Sequence, residues 1–195
     1  MSGAFNQAGR TSRTSKQNQD GFQFDQFMSR VWTAIPVKVI SCTGTGAVAT
    51  AGTVNVQPLV NMIDGAGNAT PHGVINGLPY YRLQAGNTAI IADPIAGDLG
   101  LAIFCQRDIS SVKVNKAVSN PGSFRKFDPA DGIYLGGLLN PVPAVAIQFG
   151  GGAIIINGAL TTTSNLVAGN GATGSFTTGT GNIVTVQDGI ITNIY

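Results

Sequence analysis

Side chains that perform acid–base or nucleophilic chemistry are scarce in this sequence. It contains one histidine, His72, in a predicted loop, and it has no glutamate. Asp93 and Asp98 stand on either side of Pro94–Gly97, and turn formation explains both carboxylates without a catalytic pair. A single surface histidine with no acidic partner offers no credible set of nucleophile, base and acid. The sequence therefore predicts no catalytic residues and a protein that is not an enzyme.

A glycine-rich stretch resembles a phosphate-binding motif at first sight. Gly44–Ala49 follows a predicted strand and matches the dinucleotide-binding pattern with alanine in the last position. The next residues, Thr50–Val56, alternate as a strand does and not as a helix. Without a helix there is no helix N-terminus to hold a phosphate, so we expect no nucleotide cofactor.

Binding of single-stranded nucleic acid is a second class of function to weigh. Such binding needs aromatic and basic side chains interleaved on strands. Tyr80, Tyr81 and Arg82 form one such cluster. We interpret this cluster as ordinary strand packing beside an exposed arginine, and with a net charge of only +2 we expect no nucleic-acid partner.

The two cysteines, Cys42 and Cys105, each lie in an apolar run with strand character. Buried free thiols of a protein made in a reducing cytosol are the simpler interpretation, and a disulfide is the alternative. No Cys and His spacing resembles a zinc site, so the sequence predicts no bound metal.

The composition indicates which elements carry these residues. Charged residues make up 10% of the chain, which contains 27 glycines and nine prolines, whereas about 25% is charged in an average globular protein. This composition disfavours helices and favours short strands joined by many turns. So few charges also indicate that much of the surface is either uncharged and polar or buried against other copies of the chain.

Residues 1–31 form the first segment. Met1–Gln19 is polar and is predicted to be a flexible arm. Apolar residues with helical spacing follow, and they predict a short amphipathic helix capped by Asp20 or Asp25 and ended by Pro36. We interpret the segment as one that docks on a partner and orders on binding. The candidate docking residues are Phe22, Phe24, Phe27, Met28 and Trp32.

Residues 32–112 contain five predicted short strands separated by turn signals, which favours a small barrel of the OB type. No stretch is predicted to form the crossover helices of a parallel α/β fold. The predicted strands are Val37–Cys42, Val54–Val60, Val74–Leu83, Ala89–Ala92 and Leu99–Gln106. Residues 113–132 are predicted to form a linker.

Residues 133–195 contain no lysine or arginine, and Asp188 is their single acid. Short alternating apolar stretches predict strands, but such a glycine-rich segment with unprotected strand edges is hard to fold alone. We expect three copies to wind into an intertwined trimeric β-helix or β-prism; a disordered tail is the alternative. The candidate trimer-core residues are Val145, Ile147, Phe149, Ile154, Ile156, Val184, Val186, Ile190 and Ile194. The candidate tip residues are Ile190, Ile191, Ile194 and Tyr195.

Several stretches, taken in order along the chain, resemble the central spike proteins of contractile-tailed phages, the baseplate assembly protein V-like group. The matching stretches are 32–39, 54–60, 92–104 with Arg107–Asp108, 125–132 and 182–194. The resemblance implies a homotrimer in the virion, assembled in the host cytoplasm. It also implies an N-terminal OB domain against the baseplate hub, with residues 1–31 facing that hub, and a β-helix that pierces the bacterial outer envelope mechanically.

The sequence departs from that group in one respect. Some related spikes end in histidines that hold an iron ion at the tip, whereas no histidine follows His72 here. The departure implies a blunt tip or a separate tip protein. A trimeric tail fibre or adhesin subunit is the competing class; it would need a receptor-binding surface near the C-terminal end, where the sequence has no aromatic cluster.

Overall fold

The computed structural model of this chain describes residues 14–64, 66–164, 173–187 and 190–194. Within these residues the chain forms fourteen β-strands and two α-helices, one of them short. The protein therefore belongs to the all-β class, as the composition predicts. The chain divides into two compact units, Met1–Pro141 (unit 1) and Val142–Tyr195 (unit 2).

A helix precedes the strands of unit 1. Helix α1 spans Lys16–Met28, and the Ser15 hydroxyl caps it by accepting a hydrogen bond from the N–H of Asn18 at 3.2 Å. The prediction placed this helix too late and assigned the cap to Asp20 or Asp25. Because the Ser15 hydroxyl satisfies a free N–H at the first turn, the helix extends back into the polar stretch that the sequence indicated as a flexible arm.

A five-stranded antiparallel sheet forms the centre of unit 1, in the order β5 (Ile75–Pro79), β2 (Thr53–Pro58), β1 (Ala34–Cys42), β8 (Leu99–Phe104) and β9 (Gly132–Gly136). Its two outer strands meet at one parallel bridge between Tyr80 and Tyr134, and the Tyr81 N–H donates to the Tyr134 carbonyl at 2.9 Å. The strands of unit 1 are β1 Ala34–Cys42, β2 Thr53–Pro58, β3 Met62–Ile63, β4 Ala69–Thr70, β5 Ile75–Pro79, β6 Leu83–Ala85, β7 Thr88–Ile90, β8 Leu99–Phe104 and β9 Gly132–Gly136.

Alternate residues of this sheet form the core, because successive side chains of a strand point to opposite faces. Val37 and Val39 of β1 and Val54 and Val56 of β2 are fully buried, as their sequence alternation indicates. Pro36, which the sequence assigned to the end of the helix, lies inside β1. The buried apolar core of unit 1 consists of Val37, Val39, Val54, Val56, Ile75, Leu78, Tyr80, Ala102, Phe104 and Tyr134.

The segment between β8 and β9 belongs to unit 1, although the sequence predicted a linker over residues 113–132. It contains helix α2, Ser110–Asn115, and a 3-10 turn, Pro129–Asp131. Strand β9 then pairs with β8 from Gly132 to Gly136 and buries Tyr134. The two units therefore divide after Pro141, and not at residue 133 as predicted, because β9 completes the sheet of unit 1.

Unit 2 contains two small antiparallel sheets. Strands β10, Ala146–Gly150, and β11, Ala153–Asn157, form a hairpin. Strands β12, Gly174–Thr177, β13, Ile183–Gln187, and β14, Ile190–Ile194, form a three-stranded sheet in that order. The alternating stretches of the sequence thus lie in strands β10 and β13.

Candidate assembly surfaces

One face of the β10–β11 hairpin is entirely apolar. Ile147 pairs with Ile156 and Phe149 pairs with Ile154. Directly opposed residues of an antiparallel pair share a face, so these four side chains lie together. In a single chain they are 59%, 43%, 77% and 66% exposed, respectively. The other face of the hairpin carries Ala146, Gln148, Ile155 and Asn157.

The remaining predicted core residues lie outside this apolar face. Val145 precedes β10 and is exposed, and its side chain lies beside Gly158. In the second sheet, Val184 is buried and pairs with Phe176 of β12 on one side. The backbone of β14 places Ile194 opposite Val184 on the other side.

The candidate tip residues lie partly within the structure. Ile190, Ile191 and Ile194 belong to β14, whose backbone pairs with β13. Tyr195 and Asp188 lie outside the described residues. The composition of the tip therefore stays a prediction.

A buried ion pair joins the residue before β6 to the segment after β7. Arg82 and Asp93 bond through Nη2 and Oδ1 at 2.6 Å, and their side chains are 5% and 4% exposed. Burial works against ionisation of Asp93, but hydrogen bonds from Arg82, Tyr80 and Gly46 outweigh it and hold the pKa of the carboxyl below its usual value. Two predictions were wrong here: Arg82 is not an exposed arginine, and a turn alone does not account for Asp93.

The same pair holds the glycine-rich loop that resembled a nucleotide motif. Arg82 donates to the Ala49 carbonyl, and the Gly46 N–H donates to Asp93 Oδ2 at 3.1 Å. A Cβ atom on Gly44 would collide with the Tyr80 hydroxyl and the Asp93 carboxylate. The glycine at position 44 thus allows the loop to lie close to the Asp93 carboxylate. The loop is followed by strand β2 and not by a helix, as the alternation of Thr50–Val56 predicted.

A second charged cluster anchors the connection between β8 and β9. The Arg125 guanidinium lies 3.1 Å from a carboxylate oxygen of both Asp108 and Asp131, which are buried. Hydrogen bonds from Ser110 and Ser123, followed by the charge of Arg125, hold the pKa of Asp108 well below its usual range. These contacts tie the predicted linker to the residues that follow β8 and precede β9.

An open groove of about 830 Å³ lies where α1 ends. Trp32 stands in its wall and makes edge-to-face contacts with the His72 ring at 5.0 Å and the Phe104 ring at 5.3 Å. His72 lies in the loop between β4 and β5, as predicted, and it is half-buried. The groove is lined by Ser29, Arg30, Trp32, Val60, Asn61, Met62, Ile63, Asp64, Thr70, His72, Lys126, Phe127, Asp128 and Pro129.

The candidate docking residues fall into two groups. Phe24, Phe27 and Met28 are exposed on α1, which has no buried residue. Phe22 is half-buried. Trp32 packs against His72 and Phe104 as described above, so its ring lies against the core of unit 1.

Within the described residues no cluster of three or more His, Cys, Asp or Glu side chains could hold a metal ion. Cys42 and Cys105 are free thiols, both half-buried, and burial raises the pKa of Cys105. Cys42 Sγ accepts a hydrogen bond from the Gly44 N–H at 3.1 Å. In the same part of the chain no helix is both long and apolar enough to cross a membrane.

Comparison with models of known protein families gives no match, and neither does comparison with curated protein sequences. Function is therefore inferred from the surfaces described above.

The two buried charge clusters were not predicted from the sequence. One signal for the first was present: residues 83–92 contain no charge, and Arg82 and Asp93 flank them with opposite signs. Opposite charges on either side of a short hairpin indicate an ion pair at its base. No comparable signal joins Arg125 to both Asp108 and Asp131.

Proposed function

We propose that this protein is a structural virion protein, the central membrane-piercing spike of a contractile tail baseplate, which acts as a homotrimer and mechanically. The apolar face of the β10–β11 hairpin carries the proposal. The four large apolar side chains of this face are exposed to water in a single chain, namely those of Ile147, Phe149, Ile154 and Ile156. Unit 2 has no basic residue and one acid.

Association of three copies would bury these apolar side chains. An isolated two-stranded hairpin is marginally stable in water, and its strand edges carry no charges that would keep other strands away. In an intertwined trimeric β-helix or β-prism, the edges pair with those of the neighbouring copies and the apolar faces meet at the axis. Such a spike resists bending and local opening because few strand edges remain free.

Unit 1 would form the collar that joins the spike to the baseplate hub. Support for an OB-type barrel comes from the strand order β5-β2-β1-β8-β9 and from the parallel bridge between Tyr80 and Tyr134. This bridge brings the two outer strands together, as closure of a five-stranded barrel requires. Residues 1–31 would face the hub, and Arg82, buried in its ion pair, offers no free charge to a nucleic acid.

Labelling of the parent particle tests the proposal. Gold-labelled antibodies against the folded protein should bind in electron micrographs at the end of the tail, below the baseplate. Label along lateral fibres would favour a trimeric tail fibre or adhesin subunit and contradict the spike. Label on the capsid, or none on intact and none on detergent-opened particles, would contradict both classes.

A further inference from the structure

Three asparagines of the sequence are followed directly by glycine, at positions 76, 157 and 170. Asparagine is one of the chemically labile residues. A following glycine promotes its reaction, because glycine has no side chain that hinders the approach of its backbone nitrogen to the asparagine side chain. The pair at 170 lies outside the described residues. The two described pairs are held in very different ways.

The first pair lies inside a strand of the central sheet. Asn76 and Gly77 belong to β5, which pairs with β2. The Gly77 N–H donates a hydrogen bond to Oδ1 of Asn55 at 2.9 Å. The nitrogen that could attack Asn76 is therefore occupied, and β5 must open locally before it becomes available.

The second pair lies at the open end of the β10–β11 hairpin. Asn157 is the last residue of β11 and is exposed, and Gly158 follows the strand. Neither the Asn157 side chain nor the Gly158 N–H has a hydrogen-bond partner among the described residues. Gly158 has a φ of +133°, and a Cβ atom there would lie 3.1 Å from Cγ1 of Val145, so this position favours glycine. The attacking nitrogen is thus unhindered and free of a competing hydrogen bond.

We propose that Asn157 is a site of spontaneous deamidation in the folded protein. The backbone nitrogen of Gly158 forms a bond to Cγ of Asn157. The bond between Cγ and Nδ2 breaks, and the proton of the Gly158 nitrogen passes through solvent to the leaving group, which departs as ammonia. Water then opens the cyclic imide at one of its two carbonyl carbons and leaves aspartate or isoaspartate. No group is oxidised or reduced, and water is the only co-reactant.

The reaction adds a negative charge to a nearly uncharged part of the chain. Residues 133–195 contain no base and a single acid, Asp188. A charge on a strand edge opposes pairing with another strand, and isoaspartate also lengthens the backbone beside the last residue pair of the hairpin, Ala146 with Asn157. Deamidation therefore alters the end of β11 as the protein ages. The inference goes beyond the proposed function and does not depend on the number of copies.

Peptide mapping of the aged full-length protein tests the site. The protein is incubated at mildly alkaline pH, once folded and once in urea, and then cut with chymotrypsin, because no lysine or arginine follows Lys126. Cleavage after Phe149 and Leu160 separates Asn157 from the pair at 170, and mass spectrometry measures the conversion of each amide to a carboxyl group. Asn76 is the internal control. In the folded protein Asn157 should react about tenfold faster than Asn76, since the hydrogen bond of Gly77 must first be broken, and in urea the two rates should converge.

A matched variant and the oligomeric state complete the test. Asn157→Gln keeps an amide on a longer side chain that cyclises far less readily, so it should gain less acidic species on ion exchange than the wild type. Equal rates at Asn157 and Asn76 in the folded protein overturn the proposal. So does an Asn157 that reacts in urea and not in the folded protein, and in a protein that light scattering shows to be trimeric this result leaves the spike unaffected. A reactive Asn157 in a monomeric protein supports deamidation and contradicts the trimeric spike.

Discussion

The hydroxyl of Tyr134 offers the sharpest test of the core of unit 1. Tyr134 is 1% exposed, and its hydroxyl has no hydrogen-bond partner in the described part of the chain. Replacing Tyr134 with phenylalanine removes this oxygen and keeps the ring that packs against Gly100 of β8. Because the buried hydroxyl is unsatisfied, Tyr134→Phe should stabilise unit 1.

The expected gain follows from the cost of burying an unsatisfied polar group, which is about 1–3 kcal/mol. The lost oxygen leaves a small gap that offsets part of this, so we expect the free energy of unfolding to rise by about 1 kcal/mol. Tyr80→Phe is the matched control. The Tyr80 hydroxyl accepts a hydrogen bond from Arg82 at 3.3 Å, so the same change there should lower the free energy of unfolding.

The assay is urea unfolding at neutral pH followed by the fluorescence of Trp32, the single tryptophan, which lies in unit 1. A loss of stability in Tyr134→Phe as large as that in Tyr80→Phe would show that the Tyr134 hydroxyl has a partner, such as a trapped water, and would refute the reasoning.

Alkaline pH gives the Tyr134 prediction a second readout. Burial, followed by the charges of Asp98 and Cys42, raises the pKa of Tyr134 to about 12, against the ordinary 10.0. A raised pKa contributes stability that is present below the unfolded pKa and is lost as the pH rises through the folded one. The wild type should therefore lose stability between about pH 10 and 12, and Tyr134→Phe should lose less. Equal losses in both proteins would contradict the assignment.

Three further predictions follow from the assembly surfaces and the charge clusters. Phe149→Asn should shift the proposed trimer toward monomers in gel filtration, whereas Gln148→Asn on the opposite face should not; equal effects would contradict the proposed apolar axis. Asp108 has a lowered pKa, so its stabilisation is present above about pH 4 and is lost as the pH falls further. Asp108→Asn should therefore lower the melting temperature at pH 7 and reduce the further decrease of the melting temperature below about pH 4. An equally large decrease in the variant and the wild type would contradict this. Deletion of Met1–Arg30 should block incorporation into particles and leave the trimer folded; normal incorporation would contradict a hub-facing segment.

Strands with clean alternation were the part of the fold that the sequence predicted well. Val37 with Val39, and Val54 with Val56, indicate one buried face each, and both pairs are buried in the sheet. Ile147 and Phe149 likewise indicated a single face, and the register of β10 with β11 places them on one. In these cases the information is local, because a period of two residues fixes the face of a strand.

The features that the sequence did not predict depend on contacts between distant residues or on very short signals. Strand β9 has only five residues, begins and ends with glycine, and shows too little alternation to be recognised. The start of α1 depends on Ser15, one of several polar residues in a stretch without apolar periodicity. Arg82 and Asp93 meet because a hairpin brings together residues that are eleven positions apart, and periodicity does not record such partners.

The mass of the full-length protein in solution tests the central claim most directly. Light scattering after size exclusion should give about three times the 20.0 kDa chain mass, because we propose that three copies of the β10–β11 hairpin bury their apolar faces against one another. A monodisperse 20.0 kDa species at the same protein concentration would contradict the trimeric spike.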